Sequence, residues 1–235
     1  MARHRGDRVL CPICGNRFAC FKDARHRPNV LCWRCGSHER HRAQWLLFDH
    51  RPELLGNARS LLHFAPEWAL RHRFERLAHL RYVTADLLDP EVELHLDLTA
   101  LDLPDASFDA VICSHVLEHV ADDAIAMGEL RRITAPDGWC LVMAPLDLAR
   151  DTTYEDPTLT TPAERLRAFG QADHVRFYGR DLADRLAAAG FAVERIVPLV
   201  EFGQAAVERS RIADEDHMFL CRPGIGADRR LNLAA

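Results

Sequence analysis

Two Cys-x-x-Cys pairs, Cys11-Pro-Ile-Cys14 and Cys32-Trp-Arg-Cys35, stand 17 residues apart near the start of the chain. Four thiolates at that spacing close a tetrahedral shell around one Zn²⁺. A complete four-cysteine shell leaves no position for a reacting water, so the metal expected here is structural. Gly15 and Gly36 follow the pairs and let the backbone turn tightly beneath it. Disulfides are the competing reading and need an oxidising compartment. The opening Met-Ala-Arg-His-Arg-Gly-Asp-Arg has no apolar core behind it of the kind a secretory signal carries, so reduced thiols in the cytoplasm are expected. Cys20 is a spare thiol, and His26, His38 and His41 are spare ligands.

A second set of chemical groups closes apolar segments further on. Asp86 ends Tyr-Val-Thr-Ala-Asp, where a carboxylate can accept both hydroxyls of a ribose. Asp97 ends the next such segment, placed to accept from an adenine exocyclic amine. Ser114 and His115 end Ala-Val-Ile-Cys-Ser-His.

The elements that must position these groups alternate between strand and helix. With 235 residues and 48% apolar content, the chain can hold one sizeable α/β domain and a small module. Residues 1–51 carry 11 Lys and Arg against 4 Asp and Glu, a net +7, and the remainder carries −12. The basic head suits either RNA phosphates or the acidic domain of its own chain. No apolar run approaches the ~20 residues of a membrane span. A helix is expected over Ser37–Asp49, broken by Arg51-Pro52, which sets the boundary between residues 1–51 and 52–235. Strands are expected at Arg59–Ala65, Arg81–Ala85, Glu91–Leu96, Phe108–Ser114, Trp139–Ala144, Phe191–Pro198 and His217–Cys221. Helices are expected at Glu67–Leu77, Asp122–Thr134 and Asp181–Ala189, with a turn at Pro136-Asp137-Gly138. This rhythm implies a doubly wound, Rossmann-like α/β sheet with its ligand at the carboxyl ends of the strands.

The stretch Leu103-Pro-Asp-Ala-Ser-Phe-Asp109, running into Ala110-Val-Ile-Cys-Ser-His-Val-Leu-Glu-His-Val120, resembles the class I S-adenosylmethionine-dependent methyltransferases. The likeness is to their small-molecule group, whose fourth strand reads Phe-Asp-x-Val followed by Val-Leu-Glu-His. It covers about residues 58–222. The cysteine head followed by Gly36-Ser-His-Glu-Arg-His-Arg42 also looks like a subset of that superfamily with an N-terminal zinc ribbon. The resemblance implies that His63, Phe64, Ala65, Pro66 and Glu67 wrap the methionine moiety of the cofactor. It implies that Asp86 holds the ribose, that Leu87 flanks the adenine, and that Asp97 and Leu98 contact the adenine rim. Ser114 and His115 would then lie beneath the sulfonium. Two departures stand out. The family's glycine-rich first loop is replaced by His63-Phe-Ala-Pro-Glu67, and the connection after Asp86 is too short for the usual helix.

An acidic acceptor needs no base, but an alcohol or ammonium acceptor must lose a proton, and His115 is the candidate general base. Residues 146–178 are expected to form a substrate lid, offering Asp147, Tyr154, His174, Arg176 and Tyr178. A small metabolite or natural-product intermediate, methylated on O or N, is the expected acceptor. The first alternative is an rRNA or tRNA base methyltransferase, since some ribosomal-RNA enzymes carry a zinc head. The aromatics of this head are few, and no Asn/Asp-Pro-Pro-aromatic motif is present. The second alternative is a non-catalytic, zinc-anchored binding module, against which the intact Asp86 and Asp97 count. His115-Val-Leu-Glu-His119 also spells the inverted zinc-peptidase motif, with Glu194 as a distant ligand. That motif needs both histidines on one helix, and a second metal ion per chain is its discriminating sign.

Overall fold

The structure, a computed structural model, describes residues 5–24 and 27–224. Met1–His4 and His26 lie outside them, so the opening residues and one spare ligand have no structural account. The chain divides into two compact units, the first made of Met1–Arg59, Pro66–Tyr82 and Ile196–Met218, the second of the rest.

In the first unit, strand β1 (Val9–Leu10) pairs antiparallel with β2 (Arg17–Phe18), and β3 (Lys22–Ala24) with β4 (Arg27–Leu31). Helix α1 (Glu39–His50) follows the second cysteine pair, then α2 (Glu53–Gly56) and α3 (Trp68–Phe74). Trp45, Phe48 and Phe74 meet with ring centroids 5.8 to 6.2 Å apart, so α1 presents an aromatic face to α3. Two further helices, α7 (Pro198–Phe202) and α8 (Gln204–Ser210), belong to this unit. Arg42 is fully buried among these pieces and donates to four backbone carbonyls, those of Val30, Ser37, Ser210 and Arg211. A buried guanidinium needs such partners, since an unmatched charge costs several kcal/mol.

The second unit holds a seven-stranded mixed sheet. Its strands are β5 (Ser60–Phe64), β6 (Arg81–Asp86), β7 (Leu94–His95), β8 (Phe108–Ser114), β9 (Thr134–Met143), β12 (Phe191–Ile196) and β13 (Met218–Pro223), in the order β12-β13-β9-β8-β5-β6-β7. The pairs β5–β8, β8–β9 and β6–β7 are parallel and β13–β9 is antiparallel. The chain reverses direction across the sheet between β5 and β8, as a doubly wound, Rossmann-like sheet requires. β8 is buried except at Asp109, as its apolar run implies for a central parallel strand. Asp109 is structural: its Oδ2 accepts from the Ser60 amide at 3.0 Å and hydroxyl at 3.1 Å, tying β8 to β5.

Helix α4 (Asp123–Ile133) starts on Asp122, whose side chain accepts from the Ile125 amide. Arg132 near its end bonds the carbonyls of Leu101 and Leu103 and the carboxylate of Asp105, pinning the loop before β8. The turn expected at Pro136-Asp137-Gly138 is instead a bulge inside β9, because Phe108 pairs with Thr134 while Ala110 pairs with Trp139. Between β6 and β7 the described chain forms only turns, matching the short connection seen in the sequence. The 146–178 segment contains a small ladder of β10 (Tyr154–Glu155) with β11 (Arg176–Phe177) and helix α5 (Pro162–Phe169), before α6 (Leu182–Ala188). No helix among the described residues is long and apolar enough to cross a membrane.

Candidate active site and metal centre

A pocket of about 530 Å³ opens at the carboxyl ends of β5, β6 and β8, the topological switch point where doubly wound sheets bind ligands. Of the residues expected at the cofactor, Phe64, Ala65, Asp86, Leu87, Asp97, Leu98 and His115 line it. His63 and Ser114 are buried within their strands and are not on its wall; Pro66 and Glu67 belong to the first unit. There the Glu67 carboxylate lies 3.5 Å from His41 Nε2.

The strand ends are tightly bent. Ala65 and His115 occupy the left-handed region at φ +47° and +56°, conformations that cost a non-glycine residue energy and cluster at functional sites. Ala65 thus adopts a glycine-like backbone where the glycine-rich loop is missing, held by the hydrogen bond its N–H donates to the Ala85 carbonyl at 2.8 Å. One oxygen of Asp86 accepts from the amides of Leu88 (2.7 Å) and Asp89 (2.9 Å), which fixes the turn and leaves the second oxygen for a ligand. Asp97 accepts from the Thr99 hydroxyl and amide, and these bonds hold its carboxyl below the usual range. Three carboxylates (Asp86, Asp97, Asp173), two histidines and apolar walls line the pocket, with no Lys or Arg among the lining residues. Such a field favours a ligand bearing positive charge, as a sulfonium with an α-ammonium does.

His115 is one quarter exposed, and its Nδ1 lies 3.3 Å from Oε1 of Glu118, which is fully buried. A short 3₁₀ turn, Leu117–His119, carries Glu118 and His119. His115 follows β8 and stands outside that turn, so the two histidines of His-x-x-Glu-His share no helix and the peptidase geometry does not form.

The lid residues divide. Arg176 is buried and donates to the carbonyls of Leu117 (2.7 Å), Val120 (2.5 Å) and Ala121 (2.9 Å). Tyr178, also buried, donates to Asp123 at 2.8 Å, and burial together with the Asp123 charge pushes its phenol upward. These two brace the turn after β8. Asp147 accepts from the Ala149 amide and pairs with Arg150, and Tyr154 packs on Phe169. His174 is buried with its ring centroid 4.7 Å from that of His119. Leu88, Thr99 and His119 also line the pocket, as does Asp173 from the expected lid segment. His119 had a signal in the Glu-His motif; Leu88 and Thr99 had none.

The cysteine module fits a metal. Cys11 Sγ lies 3.6 Å from Cys35 Sγ and Cys14 Sγ 3.7 Å from Cys32 Sγ. The edge of a tetrahedron of four sulfurs with Zn–S ≈ 2.3 Å is about 3.8 Å, whereas a disulfide is about 2.05 Å long. Gly15 and Gly36 sit at φ +71° and +67° and donate back to the carbonyls of Cys11 and Cys32, the tight turns their position implies. Mutual hydrogen bonds among the crowded thiols lower Cys14 and Cys35 and raise Cys11 and Cys32, so the four share their protons as one group. His38 and His41 instead meet each other at the start of α1, and Cys20 is exposed.

Residues 40–142 match the family model of a methyltransferase domain. An uncharacterized 37.1 kDa protein in transposon TN4556 of Streptomyces fradiae is 37% identical over 133 residues, covering 53% of this chain and 36% of that protein. A probable S-adenosylmethionine-dependent methyltransferase of Mycolicibacterium smegmatis is 32% identical over 106 residues, 45% of this chain and 37% of that one. The chain thus covers little more than a third of the length of either curated relative. A candidate sarcosine dimethylglycine methyltransferase from Galdieria sulphuraria, of known crystal structure, superposes with a TM-score of 0.51 at 13% identity over 78% of this chain and 86% of that one, a likeness of fold. The chain has a Rossmann-like fold shared with methyltransferases, and residues 40–142 are similar to a methyltransferase domain.

Proposed function

We propose that this protein transfers a methyl group from S-adenosylmethionine to an oxygen or nitrogen of a small metabolite or natural-product intermediate. The observation that carries the reading is the switch-point pocket, where Asp86, Asp97 and His115 converge on a wall without Lys or Arg. Bound S-adenosylmethionine supplies an electrophilic methyl group for in-line displacement. Asp86 and Asp97 offer carboxylate oxygens to ribose and adenine, and Leu87 and Leu98 offer apolar contact to the base. His115 accepts the acceptor's proton through Nε2, while its Nδ1 lies toward the Glu118 carboxylate at 3.3 Å. The four-cysteine cluster would hold a structural Zn²⁺ that sets the first unit's fold.

Calorimetric titration of S-adenosylhomocysteine tests the reading. Micromolar binding that Asp86→Ala abolishes supports it; absence of binding by a folded, zinc-loaded protein refutes it.

A second reading has its own observation. In the first unit, Arg34, Arg73, Arg76 and His72 surround a groove of about 390 Å³ beside Trp68, which is 66% exposed. Guanidinium groups beside an exposed indole suit phosphate and a stacked base. An RNA acceptor predicts RNA binding that weakens steeply with salt and loses slope when Arg73 or Arg76 is replaced.

A further inference from the structure

Glu118, His119 and His174 each present a ligand atom, and the three atoms lie within 4.8 Å of one another. Glu118 and His174 are both 1% exposed. Among the described residues, neither carboxylate oxygen of Glu118 and neither ring nitrogen of His174 has a hydrogen-bond partner; the approach of His115 to Glu118 at 3.3 Å is close without being a directed bond. A buried carboxylate and a buried imidazole with no such partners each carry a desolvation cost that a cation between them removes.

The surroundings are built to hold the group in place. The Val175 amide bonds the Glu118 carbonyl at 2.9 Å, joining the two segments that carry the ligands. Arg176 clamps the carbonyls on either side of the turn. His119 Nδ1 lies 3.2 Å from Asp173 Oδ2, the carboxylate–histidine pairing that orients a metal-binding imidazole and leaves Nε2 free to coordinate.

We propose that Glu118, His119 and His174 form a second metal centre, for a divalent first-row transition ion, in the wall of the methyl-transfer pocket. Two imidazoles and one carboxylate suit Zn²⁺, Fe²⁺ or Co²⁺ and disfavour Mg²⁺ and Ca²⁺, which prefer all-oxygen shells. Three protein ligands leave coordination positions open, in contrast to the closed four-cysteine cluster. His119 and Asp173 are pocket-wall residues, so the ion is reached from the pocket. The ligand set differs from that of the inverted peptidase: His174 is a ligand and His115 is not. A second metal ion is therefore expected without peptidase chemistry. The proposal stands apart from the methyltransferase reading, since its test reads metal and not methyl transfer.

The test adds Co²⁺ to the full chain carrying one equivalent of zinc in its cysteine cluster. Expected is one further equivalent bound, with visible ligand-field absorption and no thiolate-to-cobalt charge-transfer band. His119→Ala, at a partly exposed position that preserves the core, should weaken uptake by about 100-fold or more, and Asp173→Asn by about 10- to 100-fold. His174→Ala should abolish it while the zinc equivalent is kept. No cobalt uptake, uptake with a thiolate band only, or uptake unchanged in His119→Ala overturns the proposal.

Discussion

His115 Nδ1 stands 3.3 Å from Glu118 Oε1, pairing a histidine on the pocket wall with a carboxylate that is shut away from solvent. The pair is in place because His115, the residue after β8, is left-handed and turns the chain so that Glu118 comes back toward it. Replacing His115 by Gln should lower methyl transfer to a proton-bearing acceptor by about 100-fold or more, with S-adenosylhomocysteine affinity within a few-fold of wild type. Single-turnover rates alongside calorimetry check this; equal losses in both would assign His115 to binding.

Asp86 lines the pocket, and its Oδ1 also accepts two amides of its own turn. Asp86→Asn keeps a turn acceptor and removes the charge, so it should weaken S-adenosylhomocysteine by roughly 10- to 100-fold, the effect of losing a hydrogen bond to a charged group. Asp86→Ala should lose more and also lower the thermal midpoint.

Cys35→Ser removes one of four converging sulfurs and should release the cluster's metal, read by mass spectrometry. Chelation of the wild-type protein should expose Trp45 to quenchers, since α1 follows directly on the second cysteine pair. A protein whose melt is indifferent to chelator would argue against a structural metal.

Asp123 is buried, and burial alone would raise its carboxyl, but bonds from Arg185 (2.6 Å) and Tyr178 (2.8 Å) pull it below the ordinary value. A lowered folded value means the group stabilises the protein fully above the unfolded carboxylate value of about 4 and loses that contribution as pH falls through the folded one. Asp123→Asn should therefore cost roughly 3 kcal/mol at pH 7, with the gap to wild type closing in strong acid. Urea melts at the two pH values decide.

Gly138 sits in the β9 bulge, where an added Cβ would collide with the Asp109 carbonyl of β8. Gly138→Ala should destabilise by about 1–3 kcal/mol while leaving metal content unchanged.

Local pattern carried much of this protein. The cysteine spacing implied a metal cluster, and alternation of apolar runs with turns placed the main strands within a few residues, because burial on a pleated sheet imposes its own periodicity. The carboxylates at strand ends were legible for the same reason: in a doubly wound sheet the strand terminus is where ligands meet the chain. What the sequence could not supply was the pairing of distant groups. Arg176 reads as a candidate anion binder, yet three carbonyls fifty-odd residues away in the chain take its donors. Glu67 opens α3 in the sequence, and tertiary packing turns its carboxylate to His41. His174 shows no motif at all, and only the return of its segment against Glu118 and His119 makes it a candidate ligand. Periodicity records which face of an element is buried, whereas the partner that face meets is decided by contacts between segments remote in sequence, and only the folded chain contains those.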